Sequence, residues 1–185
     1  MPTAPTHAIV ALALGAGFRR ATPPPSLLAL GAWYSVLPDL DVIGFRFGIA
    51  YGDLLGHRGL THSLSFAVAL ASVTVACRFR RGAGVSAPAA WTYLTLATAS
   101  HGLLDGFTDG GLGVAFFAPF SGERYFFPWR PIAVAPIGLA GLLRPTILPV
   151  LASEFRWVWL PVAVLFGVLR VALPRAKGPV AHPGA

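Results

Sequence analysis

The chain has 185 residues, room for one compact domain, with 55% hydrophobic and only 11% charged. A soluble domain carries roughly 25% charged residues, and a mean hydropathy of +0.68 leaves too few polar groups to face water, so lipid is the expected solvent. The net charge of +7 does not point to nucleic acid, because the basic residues form short clusters between apolar runs, as cytoplasmic loop anchors do.

The first apolar run, residues 5–18, has no basic residue before it and reads as an uncleaved helix rather than a signal peptide. It stops at Arg19-Arg20, and Pro23-Pro24-Pro25 then forces a turn. The second run, residues 26–37, is expected to halt at Pro38. At 14 and 12 residues these two runs are short, since a full span takes about 20. The third run, residues 61–77, contains the single cysteine, Cys77, which excludes an internal disulfide, and ends in the Arg78–Arg81 cluster. The fourth covers residues 87–105. Residues 106–136 are rich in Gly, Pro and aromatics without periodicity and read as an irregular loop capping the bundle. Residues 137–151 are broken by Pro145 and Pro149 and are expected to dip into the interface. The last helix, residues 155–173, contains Pro161, a candidate kink. The fold class is therefore all-α: one integral membrane bundle, residues 1–173, of about five membrane segments, with a disordered tail at 174–185.

Placing Arg19-Arg20 in the cytoplasm and alternating sides puts eight basic residues inside and six outside. The count decides little, but every basic residue flanking a short turn or the tail falls inside. The same alternation sorts the polar motifs. His7 opens the first helix on the outer side, and Asp39 and Asp41 follow the second. His57 and His62 lead into the third, and His101 and Asp105 close the fourth. Four of the five histidines and three of the seven acids thus gather at one end; His182, in the tail, stands apart.

Imidazole and carboxylate together suit Zn, Mn or Fe(II). His101 and Asp105 are four apart, so both project from one helix face. His57 and His62 flank Gly59, a spacing that fits a turn feeding a helix. Asp39 and Asp41 are two apart, and an extended or turn backbone could aim one at a metal while the other orients a histidine. The candidate ligands are His7, Asp41, His57, His62, His101 and Asp105, for one or two ions, Zn²⁺ first and Mn²⁺ second. Each also has a plain structural reading: a histidine bonded to a neighbouring helix, a turn aspartate, a helix-capping pair. Ionisable groups in membrane segments are nevertheless expensive, which makes function the default reading for the group.

These pieces, in order, resemble the YdjM-like family of membrane proteins described as metal-dependent hydrolases. The resemblance rests on Thr6-His7, Pro38-Asp39-Leu40-Asp41, His57-Arg58-Gly59-Leu60-Thr61-His62-Ser63, His101-Gly102-Leu103-Leu104-Asp105, Pro119-Phe120-Ser121 and Arg124-Tyr125-Phe126-Phe127-Pro128-Trp129. It covers residues 6–129 most firmly and implies a metal-dependent hydrolase of the membrane, without a substrate.

The residues themselves lead to a metal or proton-handling site, and hydrolysis is what the resemblance adds. Metal ions would activate water at the outer end of the bundle, in the cell (inner) membrane. Asp39 or Asp41 would serve as base or partner, and Arg58 or Arg124 would hold an anionic substrate by its forked donors. Ser121 and Arg130 lie beside them in sequence, and the aromatics from Phe116 to Trp129 read as an interfacial belt. The substrate expected first is a lipid-linked phosphoester, then an ester or amide. Two other classes fit the same composition: a metal or proton transporter, and a non-catalytic membrane regulator. A transporter would place its polar groups along a path near mid-membrane, whereas here they sit at helix ends.

Overall fold

The apolar runs become helices whose ends follow local chemistry. The computed structural model describes residues 1–17, 23–79, 85–138 and 143–172, and side chains as far as residue 168. Helix α1, Ala4–Ala16, has proline in its first turn, where no intrahelical N–H is needed. Helix α2, Pro25–Tyr34, begins in the same way. Helices α3, Leu64–Arg78, and α4, Ala87–Gly106, are capped by Ser63 and Ser86, whose hydroxyls accept from the Phe66 and Ala89 N–H groups. The last helical stretch, α5, comprises an α-helix, Ile147–Glu154, a π turn, Phe155–Trp159, and a second α-helix, Leu160–Ala172. Among the described residues there is no sheet. Two isolated bridges, Thr108 with Ile132 and Val114 with Tyr125, staple the irregular capping loop.

Three expectations change. Pro38 does not halt the second segment: α2 ends at Tyr34, and the chain tightens into a 3₁₀ helix, Leu37–Phe47, with Pro38 in its first turn. A proline there forfeits no bond, and Gly48, at φ 77°, ends the turn. The last helix does not begin at residue 155 but runs on from Ile147–Glu154 through the π turn. Pro161 has no N–H for the Trp157 carbonyl, and the turn before it loosens so that the Leu160 N–H bonds to Phe155 five residues back. Of the five expected membrane segments, two stretches, Pro25–Phe47 and Ile147–Val168, are long and apolar enough to cross a bilayer. Helices α1 and α3 are apolar but shorter, at 13 and 15 residues. Arg19, Arg20, Arg80, Arg81, Arg175, Lys177 and His182 lie outside the described residues, as does the side chain of Arg170. The disorder expected of the tail likewise falls outside them.

An apolar core that includes Leu27, Tyr93 and Leu94 coexists with exposed apolar and buried polar side chains. Val73, Val164, Leu165 and Val168 are exposed, while Thr6, Ser35, Thr98, Ser100 and Glu154 are buried. Small residues let the helices approach: a Cβ on Gly31 would fall 2.2 Å from the Tyr93 hydroxyl, and one on Gly15 would fall 2.3 Å from Leu28. Tyr93 of α4 fills the space between α1 and α2 and donates to the Ala11 carbonyl at 3.2 Å. Close backbone approach of this kind brings many atoms of the three helices into van der Waals contact.

A buried clasp ties α1 to α5. Glu154 accepts from the Thr3 N–H at 2.6 Å, the Thr3 hydroxyl at 2.7 Å and the Thr6 hydroxyl at 2.6 Å. The carboxylate sits at the positive end of the α1 dipole. Trp159 Nε1 donates to the same Thr6 oxygen at 2.6 Å. Residues five apart point about 140° away from each other on an α-helix; the π turn between them brings Glu154 and Trp159 onto one face. With α1 fixed in this way, His7, the next residue after Thr6, is held in place.

Candidate metal centre

Four segments converge at one end of the bundle: the start of α1 with His7, the 3₁₀ helix with Asp39 and Asp41, the turn before α3 with His57 and His62, and the end of α4 with His101 and Asp105. Gly102 permits the closest approach, because a Cβ there would sit 2.6 Å from the His62 carbonyl. Arg58 occupies a left-handed conformation, φ 62°, that turns the chain back toward α4.

The centre is the group Asp39, His62, His101 and Asp105, each of which offers one ligand atom within 4.8 Å of the others. The two imidazole Nε2 atoms are 3.0 Å apart. Asp39 Oδ1 lies 3.2 Å from His101 Nε2 and 3.7 Å from His62 Nε2. Asp105 Oδ2 lies 4.0 Å and 3.5 Å from the same two atoms.

The tautomers follow from the outer partners. His101 Nδ1 faces the Ser35 carbonyl at 2.7 Å, an acceptor only, so Nδ1 carries the proton. His62 Nδ1 faces Asp41 Oδ2 at 3.2 Å and the Thr61 hydroxyl at 3.1 Å. That hydroxyl donates its own proton to Asp41 at 2.8 Å, so His62 Nδ1 also meets only acceptors. Both Nε2 atoms of the neutral rings therefore present lone pairs to each other and to two carboxylates. Both oxygens of Asp39 and both of Asp105 lack a hydrogen-bond partner. Such a pocket requires a positive charge at its centre, either a cation or a proton on one ring. Burial lowers the His62 pKa, but Asp39 and Asp41 more than reverse this and raise it to about 9. The donor set of two imidazoles and two carboxylates, with each Nδ1 oriented by an acceptor, fits a divalent cation of the zinc or manganese type.

Asp39 and Asp41 act on opposite sides of His62. On a 3₁₀ helix, residues two apart point about 120° away from each other, so Asp39 enters the centre while Asp41 backs the ring. Asp39, expected as a base or partner, is a direct member of the four-residue group; Asp41 and His57, expected as ligands, lie outside that group but beside His62. His57 Nδ1 meets Asp41 Oδ1 at 2.7 Å, and Asp41, His57 and His62 form a second, adjoining group. His7 is fully buried, stacked on His101 with ring centroids 3.8 Å apart.

The arginines expected to face a substrate have protein partners. Arg58 is fully buried. Its Nε lies 3.0 Å from Asp105 Oδ2, an ion pair off the line of a hydrogen bond. Its two Nη atoms donate to the Gly110 carbonyl at 2.8 Å and the Thr108 hydroxyl at 2.9 Å. Arg124 donates to the carbonyls of His57, Tyr51 and Asp53 at 2.9, 3.1 and 3.1 Å. Arg58 thus balances the Asp105 charge, and Arg124 clamps the loop that carries His57. Arg130 lies over the Phe126 ring, 4.8 Å from its centroid, and the Ser121 hydroxyl accepts from the Glu123 N–H. Sequence reasoning missed the Ser35 carbonyl, Thr108 and Glu154. Only Glu154 left a sign, as a lone acid inside a long apolar stretch.

Comparison with known proteins agrees with this architecture. The chain matches the family described as YdjM inner membrane protein over residues 1–176. It is similar to the inner membrane protein YbcI of Escherichia coli (strain K12), 46% identical over 171 residues, covering 91% of this chain and 97% of that protein. No solved structure matches.

Proposed function

The chain belongs to the YdjM inner membrane protein family, and from that premise we propose that it is a membrane-embedded metal-dependent hydrolase. The observation that carries this reading is the convergence of Asp39, His62, His101 and Asp105, four acceptor groups with buried and unsatisfied carboxylate oxygens. A purely structural polar cluster would be hydrogen-bonded.

When bound there, Zn²⁺ or Mn²⁺ supplies Lewis acidity, polarising a phosphoryl or acyl oxygen and making water acidic enough to attack at neutral pH. His62 and His101 would hold the ion through Nε2, with Asp105 and Asp39 as oxygen ligands. Asp41 and the Ser35 carbonyl orient the two rings, and Arg58 offsets the charge of Asp105. Asp39 is the most open of the four, its side chain 10% exposed against 0% for the other three. It would therefore be the first of the four to meet a substrate, and its Oδ2, which has no hydrogen-bond partner, would take a proton from the attacking water. The apolar residues exposed beside it on the 3₁₀ helix, Leu40, Ile43 and Phe47, suit an acyl chain. The preferred substrate is accordingly a lipid-linked phosphoester, with an ester second. All five helical stretches form the membrane-embedded bundle, the shorter ones reaching across a locally thinned bilayer.

Detergent-purified protein assayed on lipid phosphoesters, acyl esters and amides should show turnover of a phosphoester that a chelator abolishes and that Asp39→Asn and His101→Ala lack. Turnover indifferent to the chelator, or none in any class, would end the hydrolase reading. The centre is proposed to face away from the cytoplasm, on the strength of the basic clusters at the opposite helix ends. A cysteine placed at Gly110 in a Cys77→Ser background should then react with an impermeant maleimide on spheroplasts. Labelling only after lysis would reverse the orientation.

A further inference from the structure

Of the four convergent histidines, His7 and His57 lie outside the four-residue centre; His57 is bonded to Asp41, whereas the surroundings of His7 are hard to explain as packing. It is fully buried, and neither ring nitrogen has a hydrogen-bond partner. Leaving a buried polar atom unsatisfied costs about 1–3 kcal/mol. Stacking on a neighbouring imidazole satisfies neither nitrogen.

The orientation of the ring suggests what is missing. His7 and His101 are nearly parallel, 16° apart, with centroids separated by 3.8 Å. Each directs Nε2 at a different oxygen of one carboxylate: His101 at Asp105 Oδ2, 4.0 Å away, and His7 at Asp105 Oδ1, 3.8 Å away. The second distance is too long for a hydrogen bond. It matches a cation held between the two atoms, since M–N and M–O bonds of about 2.0–2.2 Å span it with a bent angle at the ion. Ions in two-metal sites lie about 3.5–4 Å apart, each commonly bound by a shared carboxylate, and the spacing of the stacked rings falls in that range. Both Asp105 oxygens lack hydrogen-bond partners, so neither is committed elsewhere by a hydrogen bond.

We propose that His7 Nε2 and Asp105 Oδ1 hold a second divalent cation, with Asp105 bridging it to the ion of the four-residue centre. The proposal rests on that centre being a cation site. It makes Asp105 the pivot of the pair, and it gives Arg58 a reason to reach Asp105 from the side, as an ion pair rather than through a lone-pair-consuming hydrogen bond.

The test uses the full chain in detergent, stripped and reloaded with Co²⁺, which enters both zinc-type and manganese-type sites. Ions per chain are counted by mass spectrometry, and spin coupling is read by EPR. Wild type should bind two Co²⁺ per chain as a coupled pair; His7→Gln and His7→Ala should each bind one, uncoupled. One uncoupled ion in wild type, unchanged in the His7 variants, would overturn the second position and leave the first standing. Two ions without coupling, or coupling that survives both His7 variants, would overturn it equally. No bound ion in wild type would overturn both positions. Should both His7 variants fail to fold, anything but a coupled pair in wild type still overturns the second position, as does a pair lost in His57→Gln, which would seat the second ion in the adjoining Asp41, His57 and His62 group.

Discussion

Two buried carboxylate sites lie within one bundle, and they are built on opposite principles. At Glu154, three donors meet one carboxylate at 2.6 to 2.7 Å, and Trp159 completes the set through Thr6. At Asp39 and Asp105, four carboxylate oxygens have no hydrogen-bond donor, and two imidazole lone pairs are added to them. The first network is closed and fastens α1 to α5. The second is open: Arg58 offsets Asp105 from the side, and the remaining acceptors are satisfied only when a further positive charge enters. In a protein whose outer surface is apolar, both could pass as functional polar residues. The donor count separates them, because buried groups that serve architecture are satisfied within the chain.

The contrast can be broken by removing one carboxylate from each site. Glu154→Ala leaves three donors orphaned and should cost on the order of 3 kcal/mol in detergent unfolding, while cation binding persists. Asp39→Ala should abolish or severely weaken cation binding but leave the stability of the cation-free protein unchanged or raised, since it removes an unsatisfied buried group. Equal losses of stability in the two variants would show that the open site is also architectural. Asp41→Asn sharpens the contrast further. It keeps the shape of the group that backs His62 but removes its charge, and should weaken cation affinity about 10- to 100-fold, read by calorimetric titration. A smaller change would make Asp41 a packing residue.

The gathering of histidines and acids at one end was legible because successive helices were read as alternating in direction, and each motif lies at a segment end. The i, i+4 pair His101 and Asp105 was legible for the same elementary reason, the helical repeat. That one of Asp39 and Asp41 would aim at a metal while the other oriented a histidine was legible too, but not which, because that depends on the chain adopting 3₁₀ rather than extended geometry after Tyr34, and Pro38 is compatible with either. The roles of Arg58 and Arg124 were hidden differently. Their partners are the Gly110, His57, Tyr51 and Asp53 carbonyls, and backbone acceptors leave no mark in a sequence. Glu154 escaped because its donors are 148 and 151 residues away. The irregular capping loop was expected from its composition, but its two bridges were not, since no alternating pattern surrounds them.

Gly102 sets a tolerance for the whole centre. With no side chain between α4 and the His62 carbonyl, backbone lies against backbone, and the gap cannot widen or close by a rotamer change. The separation of the two backbones that carry the imidazoles is therefore fixed by main chain, as a gauge block fixes a jaw. An ion would find a seat of set width rather than one that shrinks to fit it, and ionic radius would become a criterion for admission.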